Sequence, residues 1–147
     1  MRTIAIASLL AMAVFAQRPA RGSETLTVQV VNPHYHPQAG CALAGEQALL
    51  LDQTGSHGVG AWINCIQSVS FVEGSSIFVI QPEIYLSGGA ISGQGTATIN
   101  PSLGTIAFDL AIVGGAGRFA NATGSVVGGG PYPPVPGSPG ILTISLD

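Results

Sequence analysis

Apolar and polar residues alternate in short segments along most of the chain. TLTVQVV and ILTISL change side-chain type with a period of two, and SIFVIQPEIYL and TIAFDLAIV are rich in β-branched and aromatic residues. Four more segments of this kind are EQALLLDQ, GAWINCIQSVSFVE, GAISGQGTATIN and GSVVGG. Turn-forming residues separate them and none favours a helix, so we predict an all-β domain of about eight short strands, as a barrel or a sandwich. A closed barrel is favoured because it removes the exposed edges of apolar strands.

Two segments lack this pattern. NPHYHPQAGCALAG and GGGPYPPVPGSPG contain few residues that form regular structure. We predict that both are long loops.

The N-terminal segment has the features of an export signal. Arg2 precedes the apolar run IAIASLLAMAVFA, which is long enough for a signal-peptide core but shorter than the roughly 20 residues that span a bilayer. Cleavage after Ala16 and cleavage after Gly22 both fit. With the second site, residues 1–22 are the signal peptide and residues 23–147 the mature domain. No later segment is continuously apolar enough to span a membrane, so we expect a secreted protein whose mature form lies outside the membrane.

Composition limits the partners. The 147-residue chain suits one domain, and only 7% of its residues are charged, with a net charge of −3. No basic stripe is present that could neutralise phosphates, so we predict no nucleic-acid partner.

The cysteines are candidates for a disulfide bond, and the histidines are candidates for a metal site. Cys41 and Cys65 are the only cysteines, and in an oxidising compartment such a pair in a small domain usually forms a structural disulfide. We predict this bond. His34, His36 and His57 could supply a metal site, but a His-x-His in a proline-flanked loop is a weak cue, and no metal is predicted.

The segment VGGAGRFANATGS matches the G-x-G-x-x-A form of a dinucleotide-binding loop and follows a strand-like run. Such a loop starts a helix whose N-terminal amides hold the pyrophosphate, but here β-branched and glycine residues follow. No carboxylate lies about 20 residues beyond Gly115 to bind a ribose hydroxyl. We therefore predict no nucleotide cofactor, and instead a tight turn in which Gly114, Gly115 and Gly117 adopt positive φ or allow close backbone approach.

The same residues resemble a motif of a known family. GGAGRFANATG is similar to the G-G-T-G-K-F-x-x-A-x-G turn and strand of the dirigent and allene oxide cyclase-like family, with Ala116 where threonine is usual and Arg118 in the basic place. SGGAISGQG resembles the family's G-T-I-x-x-x-G strand, and the order of strands fits from about Glu46 to the C-terminus. The resemblance implies a single eight-stranded antiparallel barrel of the calycin-like type with a ligand-sized lumen. It also implies binding of a small hydrophobic intermediate whose cyclisation or coupling is guided without a cofactor.

Candidate site residues follow from the faces of two predicted strands. In TIAFDLAIV the face with small residues and Asp109 suits the wall of a cavity. The face with bulky residues suits packing against a neighbouring subunit in a homo-oligomer or against a sheet. The alternative is that Asp109 lies on the outside of the barrel, in contact with solvent. Glu83 and Tyr85 share one face of SIFVIQPEIYL, where an acid beside a phenol could protonate or orient an oxygenated intermediate; the alternative is a surface Glu83. Arg118 is placed at the barrel mouth as a ligand for a carboxylate or phenolate, or else at the solvated surface.

Two functions remain open. The first is a cofactor-free cyclase or stereochemical guide, with Glu83, Tyr85 and Asp109 as catalytic residues and Arg118 as a ligand-binding residue. The second is a secreted binding or structural barrel without chemistry. Paired polar groups in the lumen would favour the first, and a lumen filled by its own side chains would favour the second.

Overall fold

The computed structural model describes residues 23–147, which form eight β-strands. They are β1 (Glu24–His36), β2 (Ala44–Leu51), β3 (Gly58–Val72), β4 (Ser75–Leu86), β5 (Gly89–Asn100), β6 (Thr105–Gly117), β7 (Gly124–Pro131) and β8 (Gly140–Leu146). The predicted signal peptide, residues 1–22, lies outside the described residues. Residues 23–147 contain no helix that is long and apolar enough to cross a membrane.

The eight strands close into a barrel. Each strand pairs antiparallel with the next in sequence, and β8 pairs with β1. This confirms the predicted all-β, eight-stranded antiparallel barrel. The glycine motif lies at the end of β6 and in the turn to β7, and these two strands are antiparallel neighbours. A dinucleotide loop requires a parallel strand–helix–strand unit, and the motif does not lie in one.

Alternate residues of each strand point into the barrel, where large apolar side chains form the core. The largest of the fully buried apolar side chains are Trp62, Phe119, Leu50, Ile80, Ile84, Ile91, Leu110, Leu142 and Ile144. On β6 the bulky face is the inner one, with Leu110 and Ile112 buried and Asp109 exposed. The expectation that the small-residue face lines the lumen is therefore wrong. The bulky face is used in the core and is not free to contact a neighbouring subunit.

An irregularity in β1 changes which residues point inward. The pairing of β1 with β2 shifts register between Val31 and His34, and Asn32 has φ of 51°. Before the shift Val30 lies opposite Leu50, and after it Tyr35 lies opposite the inward-facing Glu46. An inserted residue moves the following side chains to the other face, so Tyr35 shares the inner face with Glu46. The first predicted loop is thus wrong in part, because β1 continues to His36.

The barrel wall is incomplete where β1 extends beyond its pairing with β8. The pairing of β1 with β8 ends at Val30 and Gly140, although β1 continues for six more residues. The connection from β7 to β8, residues 132–139, leaves the barrel at this position. It contains four prolines and a small turn in which Val135 and Ser138 form a bridge. We call this segment the proline loop; it corresponds to most of the second predicted loop.

The two ends of the barrel differ in chemistry. At the proline-loop end, the connections 37–43, 73–74, 101–104 and 132–139 contain one charged residue, Glu73. Leu43, Leu103 and Val135 are exposed there. The connections at the opposite end carry Asp52 and Arg118, and both termini of the described chain also lie at this end.

A disulfide and a buried aromatic ring hold the connections in place. Cys41 and Cys65 are bonded, with 5.1 Å between their Cα atoms, which confirms the predicted pair and ties the β1–β2 connection to β3. At the opposite end Phe119, 1% exposed, closes the core. The turn before it uses Gly117 at φ of 63° and brings Gly115 against the backbone of Ala90. The predicted roles hold for these two glycines, whereas Gly114 has open space around it and no positive φ.

Candidate functional site

A cavity of about 480 Å³ lies where the barrel wall is incomplete. Ile106 and Phe108 of β6 form part of its floor from inside the barrel, and the proline loop forms one side. It continues along β1 to Thr54 and Gly55 of the β2–β3 connection. Most of the lining is apolar side chains, prolines and glycine backbone. Such a cavity is of the size and character that suit a small organic molecule.

Glu46 is the one charged side chain among the lining residues. It is 6% exposed and points into the barrel from β2. Its Oε2 atom accepts hydrogen bonds from Nε1 of Trp62 at 3.3 Å and from Nδ2 of Asn64 at 3.0 Å, both on β3. Neither bond uses Oε1, so the carboxyl group is held in position with one oxygen left to meet a ligand.

The groups that hold Glu46 are themselves packed inside the barrel. Trp62 is 2% exposed and lies edge-on to Phe108, with 5.5 Å between ring centroids. Asn64 is 1% exposed, and its Oδ1 atom has no hydrogen-bond partner. A buried carbonyl oxygen without a donor is unfavourable, and Asn64 is not among the residues that line the cavity.

Two phenols also line the cavity, together with the polar side chains of Gln29, Asn32, Thr54 and Ser138. Tyr35 lies opposite Glu46 in the β1–β2 pairing, and Tyr132 begins the proline loop, where its backbone N–H donates to Gly104 O at 2.8 Å. Partial burial, and then the charges of Glu46 and Tyr132, raise the pKa of the Tyr35 phenol above its usual value. Tyr35 is therefore a hydrogen-bond donor throughout the neutral pH range.

The residues predicted to be catalytic do not lie in this cavity. Glu83 and Tyr85 are on the outer face of β4, whose inner face carries Ile80 and Ile84, and Tyr85 is 46% exposed. Asp109 is on the outer face of β6, and β5 lies between β6 and β4. The lumen position on which the prediction depended is therefore wrong for all three. The physical reason is the strand period of two, since the apolar side chains between them occupy the interior.

Arg118 lies at the opposite end of the barrel from the proline loop. Its guanidinium approaches Oε1 of Glu24 at 3.5 Å and sits 4.4 Å from the centroid of the Phe119 ring. It is not among the residues that line the cavity. Arg118 is thus exposed at one end of the barrel, beside the glycine turn as predicted, and its contact with a ligand stays a prediction.

The histidines do not converge either. His34 and His36 lie on β1 with 6.2 Å between their ring centroids, whereas Nδ1 of His57 lies 3.1 Å from Oδ2 of Asp52 in the β2–β3 connection. Within residues 23–147 no group of three or more metal-ligating side chains is close enough to hold a metal ion.

Sequence reasoning missed Glu46, Tyr35 and Tyr132, which line the cavity. One signal was present for Glu46, because in EQALLLDQ it shares a strand face with Ala48 and Leu50, and an acid on an apolar face is unusual. Tyr35 and Tyr132 lie in the two segments that were interpreted as loops. Their positions depend on the bulge in β1 and on the path of the proline loop, neither of which has a periodic signal.

Comparison with known proteins identifies the fold. No family model matches the chain, and no curated protein matches it. Among solved structures, pyocyanin demethylase superposes with a TM-score of 0.57 at 18% identity, covering 85% of this chain and 99% of that one. A nonspecific heme-binding cyclase that catalyses a 4 + 2 cycloaddition during neoabyssomicin biosynthesis superposes with a TM-score of 0.56 at 18% identity. The match covers 88% of this chain and 66% of the cyclase chain. The Diels–Alderase AbmU from Streptomyces koyangensis also superposes with a TM-score of 0.56 at 18% identity, and the match covers 87% of this chain and 65% of the AbmU chain. The chain thus spans about two thirds of the length of the two cyclase structures, and at this identity the likeness shows a shared barrel fold.

Proposed function

We propose that this protein is an exported barrel that binds a small hydrophobic intermediate and guides its cyclisation or stereoselective coupling without a cofactor. The observation that carries the proposal is the cavity, in which apolar and proline walls surround Glu46, Tyr35 and Tyr132. A few convergent polar groups in an apolar cavity are typical of a ligand or active site.

The cavity can act on a reaction in two ways. Its walls hold a flexible apolar molecule in one folded conformer, which lowers the entropic part of the barrier to ring closure. Glu46 can transfer a proton to or from an oxygen of the bound molecule, because Trp62 and Asn64 fix its Oε2 and leave Oε1 free. Tyr35 donates a hydrogen bond to a neighbouring carbonyl oxygen and so stabilises negative charge that develops there.

Two further observations support this proposal. The glycine motif resembles that of the dirigent and allene oxide cyclase-like family, whose members act on hydrophobic intermediates, and two of the structures with a similar fold are a cyclase and a Diels–Alderase. Export, with residues 1–22 as the signal peptide and 23–147 as the barrel domain, is part of the proposal. The disulfide favours it because such bonds persist in oxidising compartments.

Ligand binding is tested first with the exported protein. We expect native mass spectrometry, after incubation with an extract of the producing cells, to show a bound small molecule. Trp62 is the only tryptophan of the chain and contacts Glu46, so the same ligand should change its fluorescence. A barrel that takes up no small molecule would be a structural protein instead.

Catalysis is tested with a matched pair of variants on the compound so identified. Glu46→Gln keeps the size of the side chain and an acceptor for Trp62 but removes the acid, and we expect the rate constant to fall on the order of a hundredfold with binding retained. Glu83→Gln makes the same change on the outer face and should have no effect. Equal rates for both variants would eliminate proton transfer by Glu46 and leave control by shape alone. If the compound is bound but never converted, the protein is a binding barrel.

A further inference from the structure

The charges around the cavity indicate what kind of molecule it accepts. The sequence contains no lysine, and Arg118 is the only arginine among the described residues. That arginine lies at the far end of the barrel, beside Glu24. Within residues 23–147 no lysine or arginine lines the cavity, so none of these residues places a permanent cation there to neutralise a ligand's negative charge.

One acidic side chain lines the cavity, and a second, Asp52, contacts a lining residue as well as Nδ1 of His57 at 3.1 Å. Glu46 lines the cavity directly. Thr54, which also lines it, donates a hydrogen bond through Oγ1 to Oδ1 of Asp52 at 2.8 Å. Hydrogen bonds from Thr54, and then from the backbone N–H of Ser56, lower the pKa of the Asp52 carboxyl, which is therefore ionised at neutral pH. A carboxylate or sulfonate in the cavity would lose its hydration and meet like charge.

The polar atoms that remain free are of complementary kinds. Oε1 of Glu46, which neither Trp62 nor Asn64 uses, is an acceptor, whereas the Tyr35 hydroxyl is a donor at neutral pH. Building on the function proposed above, we propose that the cavity selects an uncharged, largely apolar molecule. This molecule presents an N–H or O–H group to Glu46 and a carbonyl or ether oxygen to Tyr35, and anionic ligands are rejected. This is opposite to the expectation that Arg118 would hold a carboxylate.

Two fluorescent probes with the same skeleton test this inference. N-phenylnaphthylamine is neutral and carries an N–H, and anilinonaphthalene sulfonate adds one sulfonate to it. We expect the native protein at pH 8, above the range in which histidine titrates, to bind the neutral probe at least about tenfold more tightly. The ratio of the affinity for the neutral probe to that for the anionic probe should fall severalfold in Glu46→Gln. It should stay unchanged in Glu83→Gln, which makes the same substitution on the outer face.

A second variant adds a positive charge to the cavity rim and leaves the buried Glu46 unchanged. Val135 lines the cavity and is 52% exposed, so Val135→Lys should fold normally and tighten the anionic probe about tenfold, with little effect on the neutral one. Val127→Lys places the same cation on the outer face of β7 and serves as its control.

The outcomes separate this inference from the function on which it rests. If the anionic probe binds the native protein as tightly as the neutral one, or if neither Glu46→Gln nor Val135→Lys changes the preference, charge selection is overturned while binding of apolar molecules stands. If neither probe binds, the proposed function fails and this inference fails with it.

Discussion

At the scale of single residues, the site depends on which face of a strand each polar side chain occupies. Glu46 and Glu83 have the same chemistry, yet one is held inside by Trp62 and Asn64 and the other lies outside. Tyr35 is half exposed but lines the cavity from β1, whereas Tyr85 lies on the outer face of β4. Glu83 supplies the matched control for Glu46 in the experiments above, because Glu83→Gln reports what the substitution does away from the cavity.

Asp52 organises the connection that brings Thr54 to the cavity. Its carboxylate accepts hydrogen bonds from Oγ1 of Thr54 and from the backbone N–H of Ser56, and these bonds lower its pKa in the folded state. A lowered folded pKa means that the ionised group stabilises the fold above the pKa of the unfolded chain and that this stabilisation is lost as the pH falls.

We therefore expect Asp52→Asn to lower the melting temperature by a few degrees at pH 7. The difference from the native protein should narrow as the pH falls below about 4, the ordinary value for an unfolded aspartate. Thermal melts between pH 2 and 7 measure this, with Asp109→Asn, an exposed carboxylate, as the control. A difference that stays constant over this range would show that the carboxylate charge is not what stabilises the turn.

At the scale of elements, β1 and its connection to β2 position the residues on one side of the cavity. The bulge turns Tyr35 inward, and the Cys41–Cys65 disulfide fixes the connection to β3 just before Glu46. Past Val30 the edge of β1 that faces β8 has no strand partner within the described residues. The disulfide therefore restrains the part of the chain that has lost pairing on one side.

We expect the double variant Cys41→Ser, Cys65→Ser to unfold in urea with a free energy lower by about 3 kcal/mol, because a bond spanning 24 residues restricts the unfolded chain. Reducing agent should lower the stability of the native protein to that of the variant and leave the variant unchanged. Detection of two free thiols in the native protein would contradict the prediction.

At the scale of the whole molecule, the closed barrel separates two chemically different ends. Phe119 closes the core at one end, and the cavity extends from the proline loop at the other end along β1 to the β2–β3 connection. One continuous core joins them, since the buried side chains of all eight strands or their turns belong to a single cluster.

Phe119→Ala should therefore lower the free energy of unfolding by about 3–5 kcal/mol, through loss of buried area and the void left behind. It should leave the affinity for the neutral probe unchanged. Phe108→Ala is the comparison variant, because this ring lines the cavity and packs on Trp62, and it should weaken both stability and probe affinity. If Phe119→Ala weakens probe binding as much as Phe108→Ala does, the two ends are not independent.

Much of this architecture could be predicted from local sequence. The period of two in segments such as TLTVQVV and TIAFDLAIV predicts strands, and turn residues between them predict antiparallel neighbours; both were confirmed. The disulfide was predicted from the cysteine count and the expected compartment, and Gly117 from the conformation that a tight turn requires. These features depend on properties of one residue or of a short segment.

The site could not be predicted in the same way, because it depends on how distant segments meet. Alternation shows that Glu83 and Asp109 lie on one face of their strands, but which face is inside is decided by where the larger apolar side chains bury more area when the barrel closes. The bulge at Asn32 reverses the alternation for Tyr35, and the proline loop brings Tyr132 to an opening that exists because β8 begins opposite Val30. Where strands form is determined by the side-chain period within each segment. The cavity instead depends on the register between strands that are far apart in the chain, and this register is set when the closed barrel packs its core.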